Sequence, residues 1–238
     1  MTLRELRAQV TALFPQDCLP VAALQNATAS RVIEQALETV RAQVPSALVA
    51  GPTANITYVG GRHQVGEHWA FIEQISIEPR RIIVSVQGNS DDALVVLKSV
   101  RELLGQIDPL ARKSTVDPLV TVFDSTCTVQ LDIDLGEMPV ASPFGKLQSL
   151  LRENLPSYRA TAESRFSGIR FRIHYDSLPK ELSESNIILL DKLFLLEQRE
   201  QSAAAERLYY SQSPSDTQTH LSILQQIESW FSSGKAPT

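Results

Sequence analysis

The sequence predicts an α+β protein: an antiparallel sheet with helices packed mainly on one face. Two observations point to this class. Several segments, such as 68–77 and 81–87, alternate apolar and polar residues at the period of a half-buried antiparallel strand. Four other segments repeat apolar residues at helical spacing: 31–44, 91–104, 143–155 and 214–233. Runs of strands bounded by helices are typical of α+β folds.

The composition bounds the functional classes. The chain has 238 residues, of which 43% are hydrophobic and 21% charged, with a formal net charge of −5. These values are ordinary for a globular protein with a buried core. The acidic balance, with a pI of about 5.4, argues against nucleic acid as a partner, because such binding needs many cations. We expect a cytoplasmic protein without a membrane span, since no signal-peptide core and no run of ~18 apolar residues is present.

The N-terminal segment, 1–29, is predicted to be a helix followed by a linker. Thr2 and Glu5 have the spacing of a capping box, and Pro15 would end the helix. Its apolar stripe is formed by Leu3, Leu6, Val10 and Leu13. This helix lies outside the rest of the pattern, so its stripe must be buried on the chain's own core or on a second subunit. We expect it to contribute to an interface with a protein partner or a second copy of the chain.

A first α+β half is predicted over 30–108. Ser30 is placed to cap a helix over 31–44, and Pro45 would end it. Strands follow at 56–59, 68–77 and 81–87, and 60–66 is predicted to be a hairpin connection. In the strand over 68–77 the alternation assigns one face to the larger apolar residues, Trp69, Phe71, Ile75 and Ile77. Ser90 is placed to cap a helix over 91–104. Asp91 and Asp92 lie in its first turn, where the helix dipole favours negative charge.

A second half is predicted over 119–238. It begins with a long strand, 121–135, and a helix over 143–155 that Pro156 would end. Another strand is predicted around Phe171. The run 187–196 is interpreted as a strand, with a helix as the alternative, because a short apolar run has no decisive period. A final helix begins near Pro214.

The order helix–strands–helix therefore occurs twice. Pro45 and Pro156 are 111 positions apart, and Ser90 and Ser213 are 123 positions apart. Loops absorb such a difference at little cost. Two alternatives stay open: a tandem duplication, or one continuous domain in which ordinary elements happen to alternate.

Charged residues on two predicted strands are the candidate site. Asp132 and Asp134 are two apart, so both carboxylates project from one strand face. Arg170, Arg172 and His174 form the opposite pattern on another strand. The first pair could hold a cation or act as an acid and base, and the second group could bind an anion. If the strands were neighbours, weak cross-strand ion pairs would explain both patterns without a ligand.

Motifs for established chemistries are missing from the sequence. Cys18 and Cys127 form no CxxC pattern, and no HExxH or GxSxG is present. We expect no cofactor and no metal. The sequence therefore favours a non-enzymatic binding or assembly module with a protein partner. The alternative is an enzyme or anion-binding protein that uses the five charged residues of the candidate site.

Overall fold

The computed structural model describes residues 1–14, 18–42, 55–107, 118–135, 168–173, 192–199 and 206–233. These residues form one antiparallel sheet and four helices, which confirms the predicted α+β class. The strands are β1 Thr2–Leu13, β2 Val40–Arg41, β3 Ile56–Val59, β4 Arg62–Val65, β5 His68–Glu78, β6 Arg81–Gln87, β7 Val120–Gln130, β8 Gly168–Ile173, β9 Lys192–Gln198 and β10 Leu208–Ser213. The helices are α1 Val21–Leu24, α2 Ala27–Ala36, α3 Ser90–Ile107 and α4 Thr217–Ser233.

The sheet runs β2-β3-β5-β6-β1-β7-β10-β9-β8, and β4 pairs with β5 beside β3. One apolar cluster combines β1, β5 and β6 with α2 and α3, and includes Ile33, Val84 and Val100. A second cluster combines β7, β9 and β10 with α4, and includes Val129 and Leu224. Along the strand order, the first cluster lies on the β1 side of the β1–β7 pair and the second lies on the β7 side.

The predicted N-terminal helix is wrong, because Thr2–Leu13 is the central strand β1. Ala8, Val10 and Ala12 are at most 3% exposed, and their alternation is that of a strand. Leu3, which the helical stripe would bury, is 40% exposed. Apolar surface on both β6 and β7 overrides the local helical pattern. The expected docking of an amphipathic helix on a partner therefore has no helix to support it.

The first helix begins earlier than predicted. Asn26 caps α2, because its side chain accepts a hydrogen bond of 2.8 Å from the Thr28 backbone N–H. Ser30 is not the cap: it lies buried within α2, and its hydroxyl is 3.1 Å from the Tyr58 hydroxyl. The expected linker over 16–29 therefore contains α1 and the start of α2, and Val40 begins a strand instead of continuing the helix.

A bulge reverses the predicted faces of the first part of β5. The register with β6 shifts between Ile72 and Gln74, so the alternation changes phase there. Ala70 and Ile72 are buried with Ile75 and Ile77. Trp69 and Phe71, which were predicted to share that buried face, are 44% and 55% exposed.

Helices α3 and α4 confirm the two best-marked helix predictions, and each caps the other. Asn89 accepts from the Asp92 backbone N–H, and Asp216 accepts from that of Thr219. Ser90 is therefore not the cap of α3. Its hydroxyl accepts from the Thr217 N–H at 3.1 Å, while the Thr217 hydroxyl accepts from the Ser90 N–H at 3.0 Å. Both residues are buried, so each supplies an acceptor that water cannot.

The described residues test only some of the predictions for the second half. The described portion of the run 187–196 belongs to β9, so the strand interpretation is confirmed there. The predicted helix over 143–155 lies outside the described residues, as does most of the boundary region predicted between the halves.

The central position of β1 predicts which truncations destabilise the protein. Val10→Ala is expected to lower the free energy of unfolding by about 2 kcal/mol, because it leaves a cavity in the first cluster. Leu3→Ala, within the same strand, is expected to cost less than about 0.5 kcal/mol. Urea unfolding of both variants checks this. Equal costs would contradict the observed strand.

The reciprocal caps predict a hydroxyl-specific effect at Thr217. Thr217→Val removes the acceptor at nearly constant shape and leaves the Ser90 N–H without its hydroxyl partner. We expect a loss of about 1–2 kcal/mol. Thr217→Ser keeps the hydroxyl and is the matched control. If thermal unfolding gave the two variants the same midpoint, the reciprocal caps would contribute nothing to stability.

Candidate functional site

The side chains that alternate with the buried strand residues project from the other face of the sheet, which we call the polar face. A polar concavity lies on this face. Its volume is about 570 Å³, within the range of ligand sites. Residues of six strands of the sheet line it, mainly Arg7, Gln9, Glu73, Ser85, Asp124, Thr126, Lys192, Leu193, Tyr210 and Gln212. Half of these ten are uncharged hydrogen-bonding side chains and four are charged, as expected for the solvated side of an antiparallel sheet.

The charges around this concavity form two ion pairs. The Arg7 Nε atom lies 3.3 Å from Glu73 Oε1, across β6. On the other side of the sheet centre, Lys192 donates to Asp124 across β10. The lining therefore carries two positive and two negative charges, which cancel. Such a surface suits a partner that contributes uncharged polar groups more than one with a strong charge of either sign.

An aromatic platform continues the polar face at the β4–β5 end of the sheet. Phe71 pairs with Gln87, and Gln87 pairs with Arg7 at the concavity. Directly paired residues share a face, so Phe71 belongs to the same face as Arg7. The Arg62 guanidinium lies 4.6 Å from the centre of the Trp69 ring, and Glu38 holds it through two hydrogen bonds. We call Arg62, Trp69 and Phe71 the aromatic platform.

Asp132 and Asp134 follow the end of β7. Asp132 is exposed, and its Oδ2 atom lies 3.0 Å from the Met1 amino group. The same amino group lies 2.9 Å from Glu228 of α4. The Asp132 backbone N–H also donates to Glu228. These contacts tie the end of β7 to α4.

Arg170 and Arg172 lie on β8, at the far end of the sheet. Strands β10 and β9 separate β8 from β7, a distance of about 14 Å at normal strand spacing. The structure therefore does not bring the aspartates and arginines together as neighbouring strands. Arg170 lies 3.7 Å from Glu197. His174 lies outside the described residues, so the five-residue site as a whole stays a prediction.

A buried polar cluster joins α4 to the sheet. His220 is fully buried, with Nδ1 2.8 Å from the Ser125 hydroxyl and Nε2 2.8 Å from the Ser211 hydroxyl. Ser211 donates to the Leu195 carbonyl, so its oxygen accepts from Nε2–H of His220. Ser125 then donates to Nδ1.

This cluster resembles a serine–histidine arrangement, but it serves the core. Ser125, Ser211 and His220 are all at most 1% exposed, so no substrate reaches them. Burial lowers the pKa of His220 to about 4 and raises that of the adjacent Cys127 thiol to about 12. Both groups therefore remain neutral near pH 7, and neither is activated as a nucleophile or base.

The residues of the concavity were missed by sequence reasoning. Gln9, Thr126 and Gln212 are ordinary polar members of an alternating pattern. Only strand order places them together. The alternation predicts the wrong face for Trp69 and Phe71, because nothing in it marks the bulge before Gln74.

Other site classes find no support among the described residues. No three metal-binding side chains cluster in that part of the chain. Within the same residues, no helix has the length and apolar character needed to cross a membrane. Comparison with protein-family models finds no match, and comparison with curated proteins finds no similar sequence.

The lowered pKa of His220 predicts a stability loss in acid. An unfolded histidine takes up a proton near pH 6.5, whereas the folded one resists protonation until about pH 4. Stability is therefore full above pH 6.5 and falls as the pH drops from 6.5 to 4, by roughly 3 kcal/mol in total. Urea unfolding between pH 8 and 4 measures this slope.

The control separates His220 from the carboxylates that also titrate in acid. His220→Gln removes the ionisable group, so its stability should vary with pH less steeply than that of the native protein. An unchanged slope in His220→Gln would contradict the assignment.

Proposed function

We propose that the protein is a non-enzymatic binding module whose protein partner lies on the polar face, across the concavity and the aromatic platform. The observation that carries this proposal is the exposure of Trp69 and Phe71 beside a concavity whose charges cancel. Large aromatic side chains are usually buried in a folded protein. Two of them exposed next to each other on one face therefore support an interaction surface there.

The side-chain chemistry supports a protein partner. Trp, Phe and Arg are enriched in the centres of protein interfaces, where a few such residues supply most of the affinity. Trp69 and Phe71 would supply apolar area, and Arg62 is held in place by Glu38. The amides and hydroxyls of Gln9, Thr126 and Gln212 could bind backbone groups of the partner.

We also propose that the chain consists of two tandem halves. Nine pairs of buried positions support this, at two constant offsets. Buried positions of β6 and α3 correspond to buried positions 127 residues later in β10 and α4. The pairs are Ile82 and Tyr209, Val84 and Ser211, Val86 and Ser213, Ala93 and His220, Leu97 and Leu224, Val100 and Ile227. Residues of β1 recur 117 positions later in β7: Ala8 and Ser125, Val10 and Cys127, Ala12 and Val129.

The β1–β7 register is compatible with the same relation. Ala8 pairs with Ser125, its own equivalent. Leu6 pairs with Cys127 and Val10 with Phe123, so exchanging the halves reproduces the same pairs. Every antiparallel pair of strands has a local two-fold axis, so this register is compatible with two exchangeable halves but does not by itself distinguish them from unrelated strands. The reciprocal caps of Ser90 and Thr217 are also 127 positions apart and exchange in the same way.

On this proposal, each half contributes one wall of the concavity. Gln9 corresponds to Thr126 and Ser85 to Gln212. Arg7 corresponds to Asp124, so the two ion pairs occupy equivalent places with opposite sign. The partner would therefore meet two walls of similar shape with reversed charge, which gives the site a direction.

The partner proposal is tested by site-specific photo-cross-linking in the native host. A benzophenone amino acid placed at position 71 or 126 should form discrete adducts with a protein, identified by mass spectrometry. The matched control is position 231, where Phe231 is also exposed but lies on α4. Adducts are expected at 71 and 126 and not at 231.

A second variant tests the aromatic platform. Trp69→Ala combined with Phe71→Ala should reduce the adduct formed from position 126 by about tenfold or more, because interface aromatics supply much of the affinity. Phe231→Ala should leave it unchanged. Absence of adducts at 71 and 126, or equal adducts at 231, would overturn the proposal.

A further inference from the structure

We propose that strand β8 is a docking edge, which receives from the protein partner an extended segment with alternating carboxylate and apolar side chains. The inference rests on the proposed function, because it specifies how part of the partner binds. In the part of the chain that the structure describes, β8 ends the sheet, and no strand pairs with its outer edge. An open edge is a template for strand addition.

The two faces of β8 define what such a segment must carry. Arg170 pairs with Leu195 and Arg172 with Leu193 on β9. Both arginines are exposed, and they project from the same face of β8. Because Leu193 lines the concavity, that face is continuous with the polar face. Side chains opposite these arginines would be carboxylates in a complementary partner.

The other face of β8 is apolar. Ile169 packs against the second apolar cluster, while Phe171 is 62% exposed and Ile173 39% exposed. The Phe171 ring contacts Phe194 at a centroid distance of 6.5 Å. A partner strand with apolar residues between its carboxylates would cover Phe171 and Ile173.

Charge argues against a second copy of the chain as the occupant. Two β8 strands that pair antiparallel about Phe171 would place Arg170 opposite Arg172 twice. A register centred on Arg170 or on Arg172 would place an arginine opposite itself. Like charges directly opposite each other destabilise a strand pair, so the edge is better matched by a segment of opposite charge.

The experiment uses the full chain and fluorescent, end-blocked peptides. The probe alternates valine and aspartate over seven residues. A first control peptide replaces aspartate with lysine, and a second replaces one internal valine with proline. We expect saturable binding of the aspartate peptide, measured by fluorescence anisotropy, and no comparable binding of the proline peptide, which lacks a strand-forming N–H.

The decisive variant is Arg170→Glu combined with Arg172→Glu. It should weaken aspartate-peptide binding by roughly tenfold and reverse the preference, so that the lysine peptide binds better. The matched control is Arg31→Glu combined with Lys98→Glu, at exposed positions of α2 and α3. It changes the net charge equally and should keep the native preference.

Four results would overturn the inference: no binding of the aspartate peptide up to about 1 mM, equal binding of the proline peptide, equal losses in both charge variants, or dimerisation that the β8 variant abolishes. Loss of the peptide interaction with intact cross-links at positions 71 and 126 would refute strand addition alone. Absence of those cross-links would refute the broader function.

Discussion

The pairing of β1 with β7 is the contact on which the rest of the structure depends. Strand β1 also pairs with β6, and β7 also pairs with β10, so these two strands join everything else into one sheet. Along the strand order, the first apolar cluster lies on the β1 side of this pair and the second lies on the β7 side. Without it, each cluster would be bounded by an open sheet edge, which exposes backbone groups and promotes aggregation. The same pair forms the floor of the concavity, because Arg7, Gln9, Asp124 and Thr126 lie on it.

The elements that could be predicted from the sequence are those whose signals are local. The start of α3 follows Asn89 and carries Asp91 and Asp92 in its first turn, and the alternation of β6 matches its buried residues. Strand β1 could not be predicted in this way. Its apolar residues fit a helical stripe as well as a strand, and the choice is made by two neighbouring strands that are distant in sequence. Capping shows a related limit, since the hydroxyl of Ser90 serves a helix that begins at Thr217.

The candidate site shows the same division. The alternation on β8 correctly places Arg170 and Arg172 on one face. Their relation to Asp132 depends on strand order, which charge patterns do not encode. The aromatic platform depends on a single bulge near Glu73, which turns Trp69 and Phe71 away from the core while Ile75 and Ile77 stay inside. An exposed surface produced by one extra residue in a strand has no periodic signal, because the bulge that reorients the side chains interrupts the alternation.

On the proposed duplication, one difference between the halves has a structural use. The first half has Ala8, Val84 and Ala93 where the second has Ser125, Ser211 and His220, and all six are buried. Helix α4 placed over the first half would leave His220 among apolar side chains without its two hydroxyl partners. An unsatisfied buried polar group costs about 1–3 kcal/mol. The polar trio therefore assigns α4 to β7 and β10, and so prevents two similar halves from exchanging helices.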